Sequence, residues 1–472
     1  MNNSNEREGL WQRLHKERAK GEAIRLALAY GGDYLDGLPS RRVFPDQAAL
    51  AALAAFDEPL PDEPTQAAEI ISQLHKLGAP ATTAQGGGRY FGFVNGGLLP
   101  AALGARLLAD VWDQNAALHV MSPIAAELEA VCERWLVDLL GLPAGSVAGL
   151  VSGTSTATLC GLLAGRNALL SRLGWDVNAQ GLFGAPKLRA VLSGGAHITV
   201  RKALAILGLG AAQIETVPAD AQGRIDRQFL PPLDQTTLLI LQAGNVNSGA
   251  FDDFAPLCGI AREAGAWTHI DGAFGLWARA CETTAHLTAG IELADSWSVD
   301  AHKTLNSPYD CGILLCRDRE ALVGALQASD SYLQFGAGRD GMLYTPDMSR
   351  RARGVELWAA LKSLGRAGID ELVAQLCRRA RQFAEELRAH HFRVLNDVVF
   401  NQVLVACESP ALTTRTLERL QDGGECWCGG SQWHGEPVIR ISVCSWATSP
   451  DDVRRSVAAF VAARERAAAS LA

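Results

Sequence analysis

Asp271 and Lys303 are the residues of this sequence with the most to offer chemically. Each closes an apolar run: His269-Ile270-Asp271-Gly272-Ala273 ends the run 266–270, and Ser296-Trp297-Ser298-Val299 leads into Asp300-Ala301-His302-Lys303-Thr304. In an open α/β sheet the C-terminal ends of the strands line the ligand crevice. Two adjacent ends would therefore present a carboxylate and an amine to one space. Pyridoxal phosphate needs such a pair, a lysine to form an imine with its aldehyde and an acid to keep its pyridine nitrogen protonated so that the ring accepts electrons. Taken alone, a buried Asp and a Lys at strand ends are more often a structural ion pair, so the neighbouring segments carry the weight.

One of these is Leu150-Val151-Ser152-Gly153-Thr154-Ser155-Thr156-Ala157, which turns from strand to helix through glycine and hydroxyl residues. Free backbone N–H groups and a positive dipole end are left there for a phosphate, although the same pattern serves as an ordinary N-cap in most proteins. A second is Leu192-Ser193-Gly194-Gly195-Ala196-His197, where an apolar strand ends in glycines and a histidine able to stack on a flat ring. A lone histidine is more often just a satisfied polar group.

The elements that must hold these residues follow from periodicity. Ser122-Pro123 reads as an N-cap followed by proline at the first helical position. Ile124, Leu128, Val131, Trp135 and Leu139 then recur at helical spacing until Gly141 and Pro143 end the helix, predicting that this stripe packs inward. From about Val147 short apolar runs at 188–192, 237–242, 266–270, 295–299 and 312–316 alternate with helical runs, several nearly free of charge. Such runs mean a mostly parallel sheet covered on both faces, an α/β domain. A long helical stretch over 349–388 follows, then strands near 392–395, 402–406 and 438–443 with helices near 413–421 and 451–468, predicting a smaller C-terminal α+β domain. The loop-like stretch 57–64, with three prolines and four acids, joins an N-terminal helical arm to the body. The expected division is 1–85 for the arm, 86–345 for the large domain and 346–472 for the small one.

A chain of 472 residues can bury a large core. With 43 basic and 51 acidic residues its net charge is −8, which argues against nucleic acid or an anionic membrane as partner and for a small molecule. No run approaches a membrane span and the first twenty residues are polar, so a cytoplasmic protein is expected. Eleven cysteines scattered through apolar runs read as buried thiols. Cys426 and Cys428, the close pair, read as alternate positions of one strand and not as a metal site.

In their order along the chain, these motifs resemble the group II pyridoxal-phosphate-dependent amino-acid decarboxylases, within the aspartate aminotransferase (fold type I) superfamily. The resemblance rests on Phe91-Gly92-Phe93, Ser122-Pro123, Ser152-Gly153-Thr154-Ser155, Ala196-His197, His269-Ile270-Asp271-Gly272-Ala273 and Ser298-Val299-Asp300-Ala301-His302-Lys303. It implies a seven-stranded-type, mostly parallel sheet in the large domain. It also implies that Lys303 binds the cofactor, Asp271 pairs with the pyridinium nitrogen and His197 stacks over the ring. Thr154, Ser155 and His302 would hold the phosphate, and Ala273 would touch the cofactor. Members are homodimers with shared sites, and a tyrosine on a loop after the lysine donates a proton; here the candidates are Tyr332 and Tyr344. The turn Gln242-Ala243-Gly244-Asn245-Val246-Asn247-Ser248-Gly249 departs from the Thr-rich turn of the animal aromatic-amino-acid enzymes, which points to different substrate contacts.

The reaction implied is decarboxylation of an L-amino acid to its amine. The site sequence alone leaves room for aldol-type cleavage or amino transfer, and a non-catalytic binding protein of the same fold is the reading of another class. Arg440, inside the apolar run 438–443, lies where aminotransferases of this fold keep a carboxylate-binding arginine, and could equally be a structural partner for a buried acid. Phe91, Phe93, Trp112 and Trp446 could line a substrate pocket or be plain core. Arg350, Arg351 and Arg353 read most simply as a solvated or interface face.

Overall fold

The computed structural model describes residues 9–471 apart from 328–337. The apolar runs pair into one seven-stranded sheet. Its strands are β1 (Val147–Val151), β2 (Arg189–Ser193), β3 (Ile214–Val217), β4 (Thr237–Gln242), β5 (Trp267–Asp271), β6 (Ser296–Asp300) and β7 (Gly312–Cys316), in the order β1-β7-β6-β5-β4-β2-β3. Strand β7 runs antiparallel to both neighbours and the remaining pairings are parallel. Every residue of β1, β4, β5, β6 and β7 is buried, which is why these runs carry no alternation.

The helix Thr154–Arg172 crosses this sheet on a seam of small residues. A Cβ at Gly161 would lie 2.8 Å from His269 Nδ1, and one at Gly165 would lie 2.7 Å from the Trp267 ring. Glycine is needed for the helix to sit this close to β5, and that closeness brings its N-terminus to the ends of β6 and β7. Gly312 repeats the device, since a Cβ there would meet Gly153 Cα at 2.4 Å.

A second sheet of four antiparallel strands, β8 (Arg393–Val394), β9 (Gln402–Ala406), β10 (Gly429–Trp433) and β11 (Glu436–Ser442), is ordered β10-β11-β9-β8. Helices Gly354–Ala389, Pro410–Gly423 and Pro450–Leu471 accompany it. The first of these kinks at Gly365, whose φ of 59° only glycine adopts readily. The helices Leu10–Lys20 and Glu22–Gly37 bury none of their residues.

Four expectations change. Ser122 does cap its helix, its Oγ accepting from Ala125 N at 3.4 Å, but the inward face is Ala125, Glu129, Cys132 and Leu136. Ile124 is instead exposed, because small residues allow the helix to approach its neighbours and the large apolar stripe is turned outward and sideways. Cys426 and Cys428 are buried on either side of Trp427, which bridges to Tyr90, and β10 begins only after them. The long helix starts at Gly354, later than expected, because the preceding arginines are held in specific pairs. Arg350 is buried against Glu129 at 2.7 Å, while Arg351 and Arg353 grip Asp310 at 2.8 and 3.2 Å, so this basic run is neither solvated nor a free face. All eleven cysteines are free thiols. Among the described residues no helix is long and apolar enough to cross a membrane, and no cluster of three His, Cys, Asp or Glu could hold a metal.

Candidate active site

A cavity of about 440 Å³ opens where β4, β5 and β6 end, between the N-terminus of Thr154–Arg172 and the strand β11. Lys303, Asp271, His197, Thr154, Ser155, His302 and Ala273 all line it, so seven residues from four separated segments converge. Tyr344 does not. Its ring is buried under the Arg339 guanidinium, 4.0 Å from the centroid, and its hydroxyl accepts from Arg319 Nε at 3.1 Å. Tyr332 lies outside the described residues.

The loop carrying the lysine is locked from several sides. Thr304 Oγ1 donates to Phe274 O at 2.7 Å. Asn306, fully buried with φ 59°, accepts from Trp446 N at 2.9 Å and donates to Cys444 O at 3.0 Å, tying this loop to the end of β11. Gly96 lies against it so closely that a Cβ would come within 2.1 Å of Lys303 O. The lysine ammonium is thus aimed by backbone fixed on both sides.

Electrostatics separate the ionisable groups. Burial pushes the Asp271 carboxyl up, and Lys303 and His197 pull it back down; Asp271 Oδ1 also accepts from Ala273 N at 3.2 Å. Burial lowers His197, with Asp271 opposing and Lys303 and Arg440 reinforcing the shift, so its imidazole is held neutral. Its Nδ1 lies 2.7 Å from Thr199 Oγ1, which fixes the ring over the mouth. Burial likewise lowers His302, whose Nδ1 accepts from Cys311 N at 3.1 Å.

Polar atoms without partners point to what the cavity takes. Thr154 Oγ1, Gln242 Nε2 and Arg440 Nε are buried and unbonded, and all three residues line the cavity. Thr154 and Ser155 at the start of a 19-residue helix offer an anion site. Lys303 offers an amine across from Asp271. The residues present therefore fit a flat, phosphate-bearing aldehyde with a basic ring nitrogen.

Three contributors were not singled out from sequence. Asp300 lies 2.9 Å from Lys303 Nζ and accepts from Thr154 N at 2.7 Å. Its place two residues after Ser298 on a strand of buried residues was the available signal. Tyr309 also lines the cavity, its ring 4.2 Å from that of His302 and its hydroxyl donating to Asn95 Oδ1 at 2.8 Å. Gln242 closes β4, and only its position as a polar strand end marked it. Of the aromatic candidates Phe93 lines the cavity, with φ 51°, whereas Phe91 is core and Trp112 and Trp446 lie elsewhere on the surface. In the turn after β4 it is Gly244 and Val246 that face the cavity. Asn245 is spent on that turn, accepting from Asn247 N at 2.9 Å, and Asn247 accepts from Ser431 Oγ at 2.7 Å.

The chain is similar to known proteins along most of its length. The chain is 27% identical over 475 aligned positions to the aromatic-L-amino-acid decarboxylase of Sus scrofa, covering 94% of this chain and 96% of that one. It is 27% identical to tryptophan decarboxylase 1 of Oryza sativa, over 91% of this chain and 90% of that one. Among solved structures, Oryza sativa TDC with PLP and tryptamine superposes with a TM-score of 0.84 at 22% identity over 99% of both chains. Mouse CSAD in apo form superposes at 0.86 and 21%, over 94% of this chain and 98% of that one, so the fold is the same. The profile of the pyridoxal-dependent decarboxylase conserved domain matches residues 50–406, and the chain belongs to that family, whose enzymes use pyridoxal phosphate to convert an amino acid to its amine.

Proposed function

We propose that Lys303 is the residue that binds the cofactor's aldehyde, that Asp271 faces its ring nitrogen and that His197 lies against the ring. Thr154, Ser155 and His302 hold the phosphate and Ala273 flanks the ring. The observation that carries this reading is the convergence of these seven residues on one cavity whose unbonded polar atoms include Thr154 Oγ1.

When bound, pyridoxal phosphate supplies a ring system that accepts the electron pair released from Cα as carbon dioxide leaves. The chain's own residues do the rest. Asp271, whose carboxyl burial pushes up while Lys303 nearby restrains the rise, would keep a proton on the ring nitrogen. Neutral His197 offers a flat face and does not add positive charge over the ring. Arg440, with Nη1 donating to Val246 O at 3.1 Å and Nε unbonded, has donors left for a substrate anion; were they to hold the carboxylate in the ring plane, amino transfer or aldol-type cleavage would gain ground. The proton that replaces the carboxylate at Cα comes from a group that keeps it until needed. Tyr332, outside the described residues, remains an expected donor, and Tyr309, which lines the cavity beside His302, is a further one.

The division at residues 85 and 345 is part of this reading, supported by the separate four-stranded sheet. So is a cytoplasmic enzyme, supported by the free thiols, which suit a reducing compartment. We read the working form as a homodimer. The arm helices Leu10–Lys20 and Glu22–Gly37 have no core of their own, and Trp11, Val111 and Val120 are about 70% exposed, surface that a second copy would cover. Light scattering that gave the mass of one chain in solution would overturn the dimer.

The functional test is a product screen. The cofactor-loaded protein is incubated with pooled L-amino acids while carbon dioxide and new amines are followed by mass spectrometry, with Lys303→Ala as control. Carbon dioxide with its matching amine, lost in the variant, is expected. Keto acids or shortened amino acids without carbon dioxide would sink the decarboxylase reading and turn attention to Arg440.

A further inference from the structure

Asp300 occupies an unusual place for an acid. It ends β6, is 2% exposed, and its backbone is fixed by bonds from its N–H to Ala273 O at 2.9 Å and from Trp277 Nε1 to its carbonyl at 3.0 Å. Its carboxylate does two things at once. Oδ1 accepts the first amide of the helix Thr154–Arg172, at Thr154 N, over 2.7 Å. Oδ2 pairs with Lys303 Nζ at 2.9 Å and stands 3.5 Å from His302 Nε2. These are the donors of the corner assigned above to the cofactor's phosphate, and the amine assigned to its aldehyde. Gly153, the N-cap, has no side chain to offer, and a Cβ there would lie 3.6 Å from Asp300 Oδ1. A second anion at this helix end must share or displace the carboxylate, and two buried like charges side by side oppose each other. The unbonded Thr154 Oγ1, 6% exposed as a residue, shows that the corner holds capacity the carboxylate does not use.

We propose that Asp300 is the resident anion of the cofactor cradle: it holds Lys303 and the Thr154 amide in place before loading, and must yield the Thr154 amide to the phosphate, so that it sets how tightly the phosphate-bearing cofactor binds. The proposal rests on the assignment of Lys303 and Thr154 to that cofactor. It makes Asp300 a positioning residue whose charge is an obstacle to the phosphate in particular. Neighbouring Asp271 feels the same charge, which helps push its carboxyl up.

The test uses the full chain stripped of cofactor. Binding of pyridoxal phosphate and of pyridoxal, which lacks the phosphate, is titrated by the absorbance band of the cofactor on Lys303 and by tryptophan fluorescence. Asp300→Asn keeps the size and an acceptor for Thr154 N but removes the charge. The expected result is a tenfold or greater gain in affinity for pyridoxal phosphate with less than a threefold change for pyridoxal, and tighter binding of inorganic phosphate in a fluorescence titration. Equal weakening toward both aldehydes would overturn the proposal and leave Asp300 as a support for Lys303 alone. Should Asp300→Asn melt well below the parent, Asp300→Ser removes the charge with less volume and must give the same phosphate-selective gain. If neither parent nor variant forms a band that Lys303→Ala abolishes, the cofactor assignment itself has failed, a result distinct from either of the others.

Discussion

Glu129 and Asp300 are both buried carboxylates beside the seven-stranded sheet, yet they sit in different kinds of surroundings. Glu129 takes Arg350 in a two-pronged bond at 2.7 and 2.9 Å, with Arg339 Nε 3.6 Å away, and Arg350 also donates to Leu150 O at 3.3 Å. Asp300 takes a lysine, a helix amide and a nearby histidine. Complete hydrogen bonding does not separate them, because Arg350 Nε is as unbonded as Thr154 Oγ1. Access does. Arg350 and Glu129 side chains are each 2% exposed and line no described cavity, whereas Lys303 is 20% exposed and opens onto the cavity of about 440 Å³. A sealed ion cluster can only serve the fold, holding the edge strand β1 to the helix Pro123–Leu139; an open one can exchange its partners for a ligand.

The largest effect should come from breaking the sealed cluster. Arg350→Ala leaves Glu129 buried without its principal counter-ion, which costs about 3–5 kcal/mol. A marked fall in melting temperature is expected, while whatever folded protein remains binds pyridoxal phosphate with parental affinity. An unchanged melting curve would show that the pair contributes nothing and that burial is a poor guide here. The opposite split is expected at the open site. Asp271→Asn relieves a buried carboxylate and should leave the melting temperature of the cofactor-free protein equal or higher, yet lower kcat/KM on the order of 100-fold or more, as removal of a charge that acts on the ring nitrogen would. Loss of stability with retained activity would reverse the roles assigned to the two clusters.

How much of this could be read before folding depends on the kind of signal. Strands β4, β7 and β9 carry the boundaries expected from their apolar runs, because fully buried strands advertise themselves by composition. Strand β3, Ile-Glu-Thr-Val at the sheet edge, has two exposed central residues and gave no such run; β10, Gly-Gly-Ser-Gln-Trp, lies at the other sheet's edge and alternates half-buried and exposed positions. The face of Pro123–Leu139 was misread for a related reason. Ala125 and Cys132 are small, and it is their smallness that allows close packing, so ranking positions by size selects the wrong side. That Asp271 and Lys303 reach one cavity was legible, because the sheet fixes where strand ends go. Asp300 was hidden in plain sight between them, since its role comes from a helix amide 146 positions away. The run Arg350, Arg351 and Arg353 was misjudged because a run of like charges usually is solvated, and only the fold reveals Glu129 waiting for Arg350 and Asp310 for Arg351 and Arg353.

Asp252 sharpens the comparison as a third buried carboxylate, to which no cation among the described residues is bonded. Its oxygens accept from Ile225 N and Gln242 N, each at 2.7 Å, behind the Gln242 side chain that faces the cavity. Burial pushes its carboxyl up to about 6, the two amide bonds and Arg224 restrain the rise, and Asp220 adds to it. The folded chain therefore holds this proton more tightly than the unfolded chain does. Stability from this group is fully present below the ordinary carboxylate range and is lost as pH rises through about 6, amounting to roughly 1 kcal/mol between pH 5 and pH 7. Because Asp271 and Asp295 are raised in the same direction, the measurement is a difference. Denaturant unfolding of the parent and of Asp252→Asn at several pH values should show the parent losing more stability across this window, whatever constant cost the lost amide bond adds to the variant. Parallel pH profiles would mean that two amides suffice to keep a buried carboxylate ionised, and burial alone would then not require the counter-ions that Glu129 and Asp300 both carry.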